Sequence, residues 1–393
     1  MPLRVGILGA TGAVGQSFVQ LLADHPLFEV TALAASERSA GRTYREATNW
    51  IGADEPPERI ADMEVQPCEP GLHCDLVFSG LDAGVAGEIE AAFARAGYPV
   101  VSNARNYRMA PDVPLLIPEV NPDHTALIER QDWSRSESES RGDGETRADS
   151  AVAHRPSPIT HRSRGGFIVT NPNCSTVGLV MALKPLADAF GVEAVHVVTM
   201  QALSGAGYPG VPSLDALGNV IPHVGGEEEK MARESRKLLG RLTEAGVEDA
   251  ALVVSAQCNR VPVLEGHTEC ASVRLATPAS PEEVAEVMAA WEGPLAGMGL
   301  PTAPRRPLRV FADERYPQPR RHARAGGGMQ VSAGKVQACP AIAPEGYGVK
   351  FVVLSHNTIR GAAGGAVLNA ELLHAQGYLE ARAEPAREPA PLG

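Results

Sequence analysis

The chain has 393 residues, 44% of them hydrophobic and 21% charged, and a net charge of −12 at pH 7. These values are ordinary for a globular protein and leave room for two domains, whereas the acidic balance argues against a general nucleic-acid binder. No apolar run approaches the ~20 residues of a membrane span, and residues 1–4 precede a predicted strand without a signal-peptide pattern. We therefore predict a cytoplasmic protein that binds neither nucleic acid nor membrane.

Six cysteines are scattered along the chain without CxxC spacing, at positions 68, 74, 174, 258, 270 and 339. This scatter argues against a disulfide framework and against a structural zinc site. We expect reduced thiols, as in a cytoplasmic enzyme, and no metal.

Residues 5–15 (VGILGATGAVG) predict a strand, a glycine-rich turn and the opening of a helix. Backbone N–H groups in such a turn, together with the helix N-terminus, bind a pyrophosphate. The spacing Gly9-x-x-Gly12-x-x-Gly15 departs from the strict G-x-G-x-x-G pattern. Its place between the first strand and a helix nevertheless favours a dinucleotide site over a purely structural turn.

Residues 28–33 predict the second strand, and the residues after it bear on cofactor choice. An acidic side chain at this strand end holds the ribose hydroxyls of NAD, whereas a 2′-phosphate needs donors such as arginine and serine. Ser36, Arg38 and Ser39 therefore favour NADP. Glu37 leaves NAD open, because it would supply the acid if it pointed inward.

Further strands at 74–79, 99–101 and 114–117, with a helix at 85–96, alternate as in a parallel sheet covered by helices. The fold class is therefore α/β, with a Rossmann-like NADP-binding domain over residues 1–165. Within that domain, residues 132–165 are rich in Ser, Arg, Glu, Gly and Asp. Such a composition cannot bury enough apolar surface to order the chain, so we predict a disordered insertion there.

Residues 166–354 predict a second, α+β domain, in which strands and helices are less regularly interleaved. Ser280 and Pro281 predict the N-cap and first residue of one of its helices. Residues 355–382 predict a glycine-opened helix that returns to the first domain, and 383–393 a disordered tail. The other predicted elements are strands at 167–170, 192–201, 251–257, 268–275 and 351–354, and helices at 176–190 and 227–239.

Cys174 lies within residues 171–176 (NPNCST), at the junction of a predicted strand and a predicted helix. The positive end of the helix dipole and free backbone N–H groups there favour a thiolate, the form in which cysteine is a nucleophile. The alternative is a small buried hydrophobe. Other parts of the chain must decide between the two.

Arg260 and His267 lie seven residues apart around a turn that contains proline. Arginine binds carboxylate or phosphate through two parallel hydrogen bonds, and histidine moves protons near neutral pH. Each residue has an ordinary alternative, as a solvated side chain or a simple hydrogen-bonding group. With Cys174 they supply a nucleophile, a base and an anion clamp.

Several segments, in order along nearly the whole chain, together resemble aspartate-semialdehyde dehydrogenase. They are residues 9–15 (GATGAVG), 102–108 (SNARNYR), 171–176 (NPNCST), 201–207 (QALSGAG), 227–230 (EEEK) and 260–267 (RVPVLEGH). Residues 317–320 (PQPR) and 328–329 (GM) are similar to the archaeal and fungal branch. The resemblance implies NADPH-dependent reductive dephosphorylation of L-4-aspartyl phosphate to L-aspartate 4-semialdehyde, a reversible step toward lysine, threonine and methionine.

The resemblance also implies catalytic roles. Cys174 would carry the acyl group as a thioester, which inorganic phosphate attacks in the reverse direction, and His267 would act as acid and base. Asn173 and the Cys174 N–H would stabilise the oxyanion.

Substrate contacts follow from the same resemblance. Arg260 would hold the substrate α-carboxylate, and Gln201 would orient the acyl group. Arg108 and Lys230 would bind phosphate, and Glu227 would contact the amine.

The resemblance implies that the cofactor is NADP. It also implies that residues 166–354 form the catalytic and dimerisation domain, through which the chain associates into homodimers or homotetramers. The matching cofactor-binding positions are Gly9, Thr11, Gly12, Ala13, Val14, Ser36, Arg38, Ser39, Ser204, Gly205 and Asn357.

Two alternatives stay open from the sequence. A malonyl- or succinyl-CoA reductase would use the same cysteine. Coenzyme A offers no amino group, however, so such an enzyme would have less need of Glu227 and of the phosphate-binding pair Arg108 and Lys230. A non-catalytic NADP-binding regulatory protein would have no need of the complete set of cysteine, histidine and arginines.

Overall fold

The computed structural model describes residues 1–52, 54–133, 165–344 and 346–382. The predicted insertion at 132–165 lies almost wholly outside these ranges, and the predicted tail at 383–393 lies entirely outside them. No helix within the described ranges is both long and apolar enough to cross a membrane.

The first sheet is parallel and, in the described part of the chain, has six strands in the spatial order 3-2-1-4-5-6. The strands are β1 Leu3–Leu8, β2 Phe28–Ala35, β3 Val65–Pro67, β4 Leu76–Ser79, β5 Pro99–Ser102 and β6 Phe167–Thr170. The helices between them are α1 Ala13–Leu22, α2 Tyr44–Ala47, α3 Glu58–Ala61 and α4 Ala83–Arg95, with a 3₁₀-helix at Pro122–Arg130. This order is that of a dinucleotide-binding sheet, whose crevice lies beyond the carboxyl ends of its strands. The predicted Rossmann-like fold is confirmed.

The strand predicted at 114–117 is wrong. Leu115 forms one isolated bridge to Thr170, and the chain then turns. The Asn121 side chain accepts a hydrogen bond from the Ile117 N–H and donates one to the Leu115 carbonyl, so it replaces a strand partner. The sequence predicts a strand because the apolar side chains of the segment are buried. Its backbone, however, bonds Thr170 only at Pro114 and Leu116, and the Asn121 side chain takes the remaining bonds.

The glycine-rich turn between β1 and α1 depends on close backbone contacts. Gly9 has φ of +74°, a conformation that favours glycine. A Cβ on Gly15 would lie 2.2 Å from the Gly9 carbonyl oxygen, so only glycine lets α1 pack this closely on the turn. The turn thus leaves the N-terminus of α1 facing the crevice.

The second sheet is mixed, in the spatial order 10-7-11-14-13-12. The strands that follow β6 are β7 Val192–Gln201, β8 Arg241–Thr243, β9 Gly246–Glu248, β10 Val253–Arg260, β11 His267–Leu275, β12 Leu308–Phe311, β13 Val331–Ala338 and β14 Gly348–Ser355. The helices are α5 Cys174–Phe190, α6 Ser213–Ala216, α7 Glu227–Leu238, α8 Pro281–Ala290, α9 Pro319–His322 and α10 Gly364–Ala375. Short 3₁₀-helices cover Leu203–Ala206 and Ala325–Gly328, and a π-helical turn covers Ile359–Ala363.

One face of the second sheet carries a core shared with α5, α7 and α8. Val180 and Leu183 of α5 pack with Val195 and Val273 of the sheet. Burial alternates along β11, so the residues between these inward positions lie on the opposite face. The Ser280 capping box at the start of α8 is present as predicted.

The last helix, α10, is shared with the first sheet. Its apolar residues, among them Leu368 and Leu372, lie in one cluster with Val101 of β5 and Val169 of β6. Between β14 and α10 the chain forms the π-helical turn, which therefore connects the second sheet with the first.

We predict opposite effects for two alanine substitutions in the first domain. Gly15→Ala must displace the Gly9 turn and should cost about 1–3 kcal/mol of unfolding free energy while weakening NADP binding. Gly84→Ala, in α4, adds a methyl group with nothing within 4 Å of it and should stabilise by about 0.5–1 kcal/mol. Urea unfolding and NADP titration measure both effects. Equal shifts in the two variants would contradict the packing argument.

Candidate active site

Asn173 fixes where α5, the helix that carries Cys174, begins. Its Oδ1 accepts hydrogen bonds from the N–H groups of Ser175 (3.0 Å) and Thr176 (3.3 Å), which makes it the N-cap of α5. The sequence predicted a start at Thr176, but the cap makes Cys174 the first helical residue. The sulfur thus lies at the positive end of the helix dipole.

Cys174 and His267 lie together. The Cys174 Sγ is 3.3 Å from the His267 Nε2. On the other side of the ring, Nδ1 accepts a hydrogen bond of 3.0 Å from the Ala202 N–H. Because Nδ1 accepts, the proton of the neutral imidazole is on Nε2 and faces the sulfur.

Burial dominates the ionisation of this pair. It raises the pKa of Cys174 to about 12, an effect that the nearby Glu227 carboxylate increases and the Ser175 N–H opposes. Burial, with a smaller contribution from Arg260, lowers the pKa of His267 to about 3. Loss of solvent therefore opposes the thiolate that the sequence predicts at the helix start, and it opposes a protonated imidazole as well.

Arg260, at the end of β10, is buried beside the histidine. Its Nη1 donates to the Ala202 carbonyl at 2.7 Å, so Ala202 contacts both Arg260 and His267. A Cβ on Gly205 would lie 2.8 Å from the Arg260 Nη1 and 2.9 Å from the His267 Cε1. Glycine at 205 is thus required for the 3₁₀-helix to close over both side chains.

Glu227, the first residue of α7, connects the cap to a cation. Its Oε2 accepts from the Asn173 Nδ2 at 2.7 Å, and its Oε1 accepts from the Lys230 Nζ at 2.7 Å. Gln201 is buried, with its Nε2 at 3.5 Å from the Glu227 Oε2. Four predicted residues therefore form one hydrogen-bonded group next to Cys174: Asn173, Gln201, Glu227 and Lys230.

Arg108 reaches the same junction from the first domain. Its Nη1 donates to the Glu234 Oε1 at 2.9 Å, and its Nη2 donates to the Asn103 carbonyl at 2.7 Å. The second Glu234 oxygen accepts from the Asn173 N–H at 2.6 Å. Glu234, which sequence reasoning missed, thus links the predicted phosphate ligand to the cap of the nucleophile helix.

Lys237 was also missed. Its Nζ donates to the carbonyls of Arg108, Ala110 and Val113 at 2.7–2.9 Å, which holds the loop that carries Arg108 against α7. The sequence did contain a signal for these buried charges, because Glu227, Glu234 and Lys237 of α7 recur at helical spacing with buried Met231. Charges on the apolar stripe of a helix indicate buried partners.

The cofactor candidates lie in two groups. Ser36 and Arg38 are exposed, directly after β2. Ser204 and Asn357 are hydrogen-bonded to each other at 2.8 Å, and Asn357 also accepts from the Gly266 N–H at 2.9 Å.

The glycine-rich turn, together with Ser36 and Arg38, fits the phosphates of a dinucleotide. The turn from Gly9 to Val14 leads into the N-terminus of α1, where Gly15 keeps the backbone clear of side-chain bulk. Hydroxyl and guanidinium donors after β2 suit a 2′-phosphate.

Comparisons with known proteins agree with this arrangement. Residues 4–128 match the family described as "Semialdehyde dehydrogenase, NAD binding domain", and residues 183–360 match "Semialdehyde dehydrogenase, dimerisation domain". Aspartate-semialdehyde dehydrogenase of Archaeoglobus fulgidus is 46% identical over 95% of this chain and 98% of its own. The enzyme of Schizosaccharomyces pombe is 45% identical over 96% and 99%.

A solved structure is similar over the same length. The crystal structure of aspartate semialdehyde dehydrogenase with NADP from Candida albicans has a TM-score of 0.80 and 40% identity, covering 96% of this chain and 99% of that one. The archaeal and fungal resemblance seen in the sequence is confirmed. By these full-length relatives and both matched domains, the chain belongs to the aspartate-semialdehyde dehydrogenase family.

Proposed function

We propose that the protein catalyses the NADPH-dependent reductive dephosphorylation of L-4-aspartyl phosphate to L-aspartate 4-semialdehyde, a reversible step of lysine, threonine and methionine biosynthesis. The observation that carries this proposal is the Cys174–His267 pair at 3.3 Å. Arg260 joins it through Ala202, which also bonds His267, and the Glu227–Lys230 pair joins it through Asn173, which precedes Cys174. A nucleophile with two cationic sites and an acid near it suits a substrate with a carboxylate, an amine and a phosphate.

In the biosynthetic direction, the Cys174 sulfur attacks the acyl carbon and the bond to phosphate breaks. The thiol proton passes to the departing phosphate. In the free protein the Ala202 N–H leaves the imidazole proton on Nε2, which supports the acid half of the acid and base role that we propose for His267. The product of this step is a thioester on Cys174.

When bound, NADPH supplies the hydride that reduces this thioester. The His267 Nε2–H then donates a hydrogen bond to the oxyanion at the former carbonyl, as do the proposed donors Asn173 and the Cys174 N–H. Each such donor typically contributes about 3 kcal/mol to transition-state stabilisation. As the oxyanion collapses, its C–S bond breaks and the aldehyde leaves. The same Nε2–H stabilises the sulfur anion, which takes up a proton from solvent to restore the thiol.

Substrate recognition divides between the domains. Arg260 binds the α-carboxylate and Glu227 the amine, with Gln201 orienting the acyl group. Arg108 and Lys230 bind phosphate. Both cations are already paired with carboxylates in this structure, so phosphate must share or replace those partners.

The chain contains a dimerisation domain, and we propose a homodimer or homotetramer that uses the outer face of the second sheet. Val253 of β10, which pairs with Ala194 of β7, is 68% exposed, and an apolar side chain this exposed suits a subunit interface. We also propose a cytoplasmic location, since all six cysteines are free thiols.

The direct test of the proposed reaction is phosphate-dependent reduction of NADP by L-aspartate 4-semialdehyde. We expect turnover that needs phosphate and is abolished in Cys174→Ala. Malonyl-CoA with NADPH is the control substrate, and equal turnover of both substrates would favour an acyl-CoA reductase instead.

The ionisation of Cys174 has its own test. With a pKa near 12, the thiolate fraction of the free enzyme increases about tenfold per pH unit between about pH 7 and 9, and so should the rate at which iodoacetamide alkylates Cys174, measured by mass spectrometry. Cys174→Ser measures the alkylation of other thiols, such as the exposed Cys270. A plateau above neutral pH would instead indicate a stable thiolate.

Arg108→Lys should impair phosphate use specifically. Lysine cannot bond Glu234, the Asn103 carbonyl and phosphate with one planar fork, and loss of one charge-assisted bond costs about 1.5–3 kcal/mol. We expect the KM for phosphate to rise at least about tenfold while the KM for NADP is unchanged. Arg105→Lys, at an exposed neighbour, is the matched control. An equal rise in the KM for phosphate in both variants would contradict a phosphate-binding role for Arg108.

A further inference from the structure

The π-helical turn Ile359–Ala363 packs directly against Cys174. A Cβ on Gly361 would lie 2.6 Å from the Cys174 Cβ and 2.8 Å from its Cα, so the turn contacts the nucleophile backbone without intervening side-chain atoms. Any displacement of this turn therefore changes the space in which the sulfur moves.

The neighbouring Arg360 anchors the turn. It is 1% exposed and forms a bidentate pair with Glu119, with Nη1 to Oε1 at 2.6 Å and Nη2 to Oε2 at 2.7 Å. The same Nη2 lies 3.5 Å from the Met181 Sδ. Met181 is seven residues, or two helical turns, beyond Cys174 on α5, so Arg360 contacts the nucleophile helix as well.

Glu119 lies in a hydrogen-bonded turn of the first domain. The turn that contains it is closed by the Val120 N–H, which donates to the Ile117 carbonyl, and by the Asn121 side chain. Glu119 itself is 2% exposed. The pair therefore joins a fixed turn of the first domain to the segment behind the nucleophile.

We propose that the Glu119–Arg360 pair is a positioning device for Cys174, which holds the π-helical turn against the nucleophile so that its sulfur stays aligned with His267. The inference rests on the proposed role of Cys174. A planar, two-bond fork fixes orientation as well as distance, which a single ammonium or an apolar contact does not.

The alternative is that the pair only stabilises the fold. Breaking a buried pair by removing one partner destabilises a protein, whereas replacing both partners by apolar residues is often neutral. The double variant Glu119→Leu/Arg360→Met therefore separates the two roles, because it can keep the fold while losing the fixed orientation.

The experiment measures kcat, KM, thermal unfolding and the rate of Cys174 alkylation by iodoacetamide in four variants. We expect Glu119→Gln and the double variant to lose about a hundredfold in kcat, the size of effect that small misplacements of reacting groups cause. KM values should stay within about twofold, and Cys174 should be alkylated faster than in the wild type. Arg360→Lys should lie between these variants and the wild type.

Asp75→Asn is the matched control. It breaks the Arg4–Asp75 pair, with Asp75 also 2% exposed, at the start of β1 and β4 and away from the carboxyl ends of the strands. We expect unchanged kcat and alkylation in this variant. A double variant that is folded and has wild-type kcat and alkylation would overturn the proposal, as would losses that only follow the unfolded fraction.

Failure of the proposed function would look different. In that case the wild type itself would lack phosphate-dependent turnover of the semialdehyde, while the alkylation rates would still report whether the pair positions Cys174.

Discussion

The structure around the nucleophile depends on the hydrogen bonds of one residue, Asn173. Its side-chain oxygen caps α5, its side-chain nitrogen donates to Glu227, and its backbone N–H donates to Glu234. Capping fixes Cys174 as the first helical residue, and the two carboxylates fix α7 beside it. A cap of this kind contributes about 1 kcal/mol on its own, but here it also sets the positions of both carboxylates relative to the sulfur.

Those positions bear on the ionisation of Cys174 and His267, whose uncharged forms burial favours. The helix dipole and the Ser175 N–H favour a thiolate, yet burial and Glu227 oppose it more strongly. The Ala202 N–H keeps the imidazole proton on Nε2, where it serves as a donor to negative charge on sulfur or oxygen. Charge thus develops only during the reaction, and the donors for it are already in place.

Much of this could be predicted from the sequence because the signals are local. The turn from Gly9 to Gly15 indicates the first domain, and strand, cap and helix around Cys174 follow one another within a few residues. The ionisation of Cys174 could not be predicted, since it depends on how much solvent the rest of the fold removes. Glu234 and Arg360 were missed for a related reason: their partners Arg108 and Glu119 lie 126 and 241 residues away along the chain. One sequence contains no local pattern for such pairs, and 114–117 was misread because burial alone resembles a strand.

The two distant pairs have a common geometry. Arg108 and Glu119 belong to the first domain, and Glu234 and Arg360 lie on segments that flank Cys174 from the second. Removing one partner of a buried pair costs about 3–5 kcal/mol, while apolar replacement of both is often tolerated, so stability alone does not explain charges at these positions. Apolar contacts between domains can slide, whereas a carboxylate and a guanidinium meet in few orientations. The Arg108–Glu234 and Glu119–Arg360 pairs therefore restrain the orientation of the first sheet relative to the segments that flank Cys174.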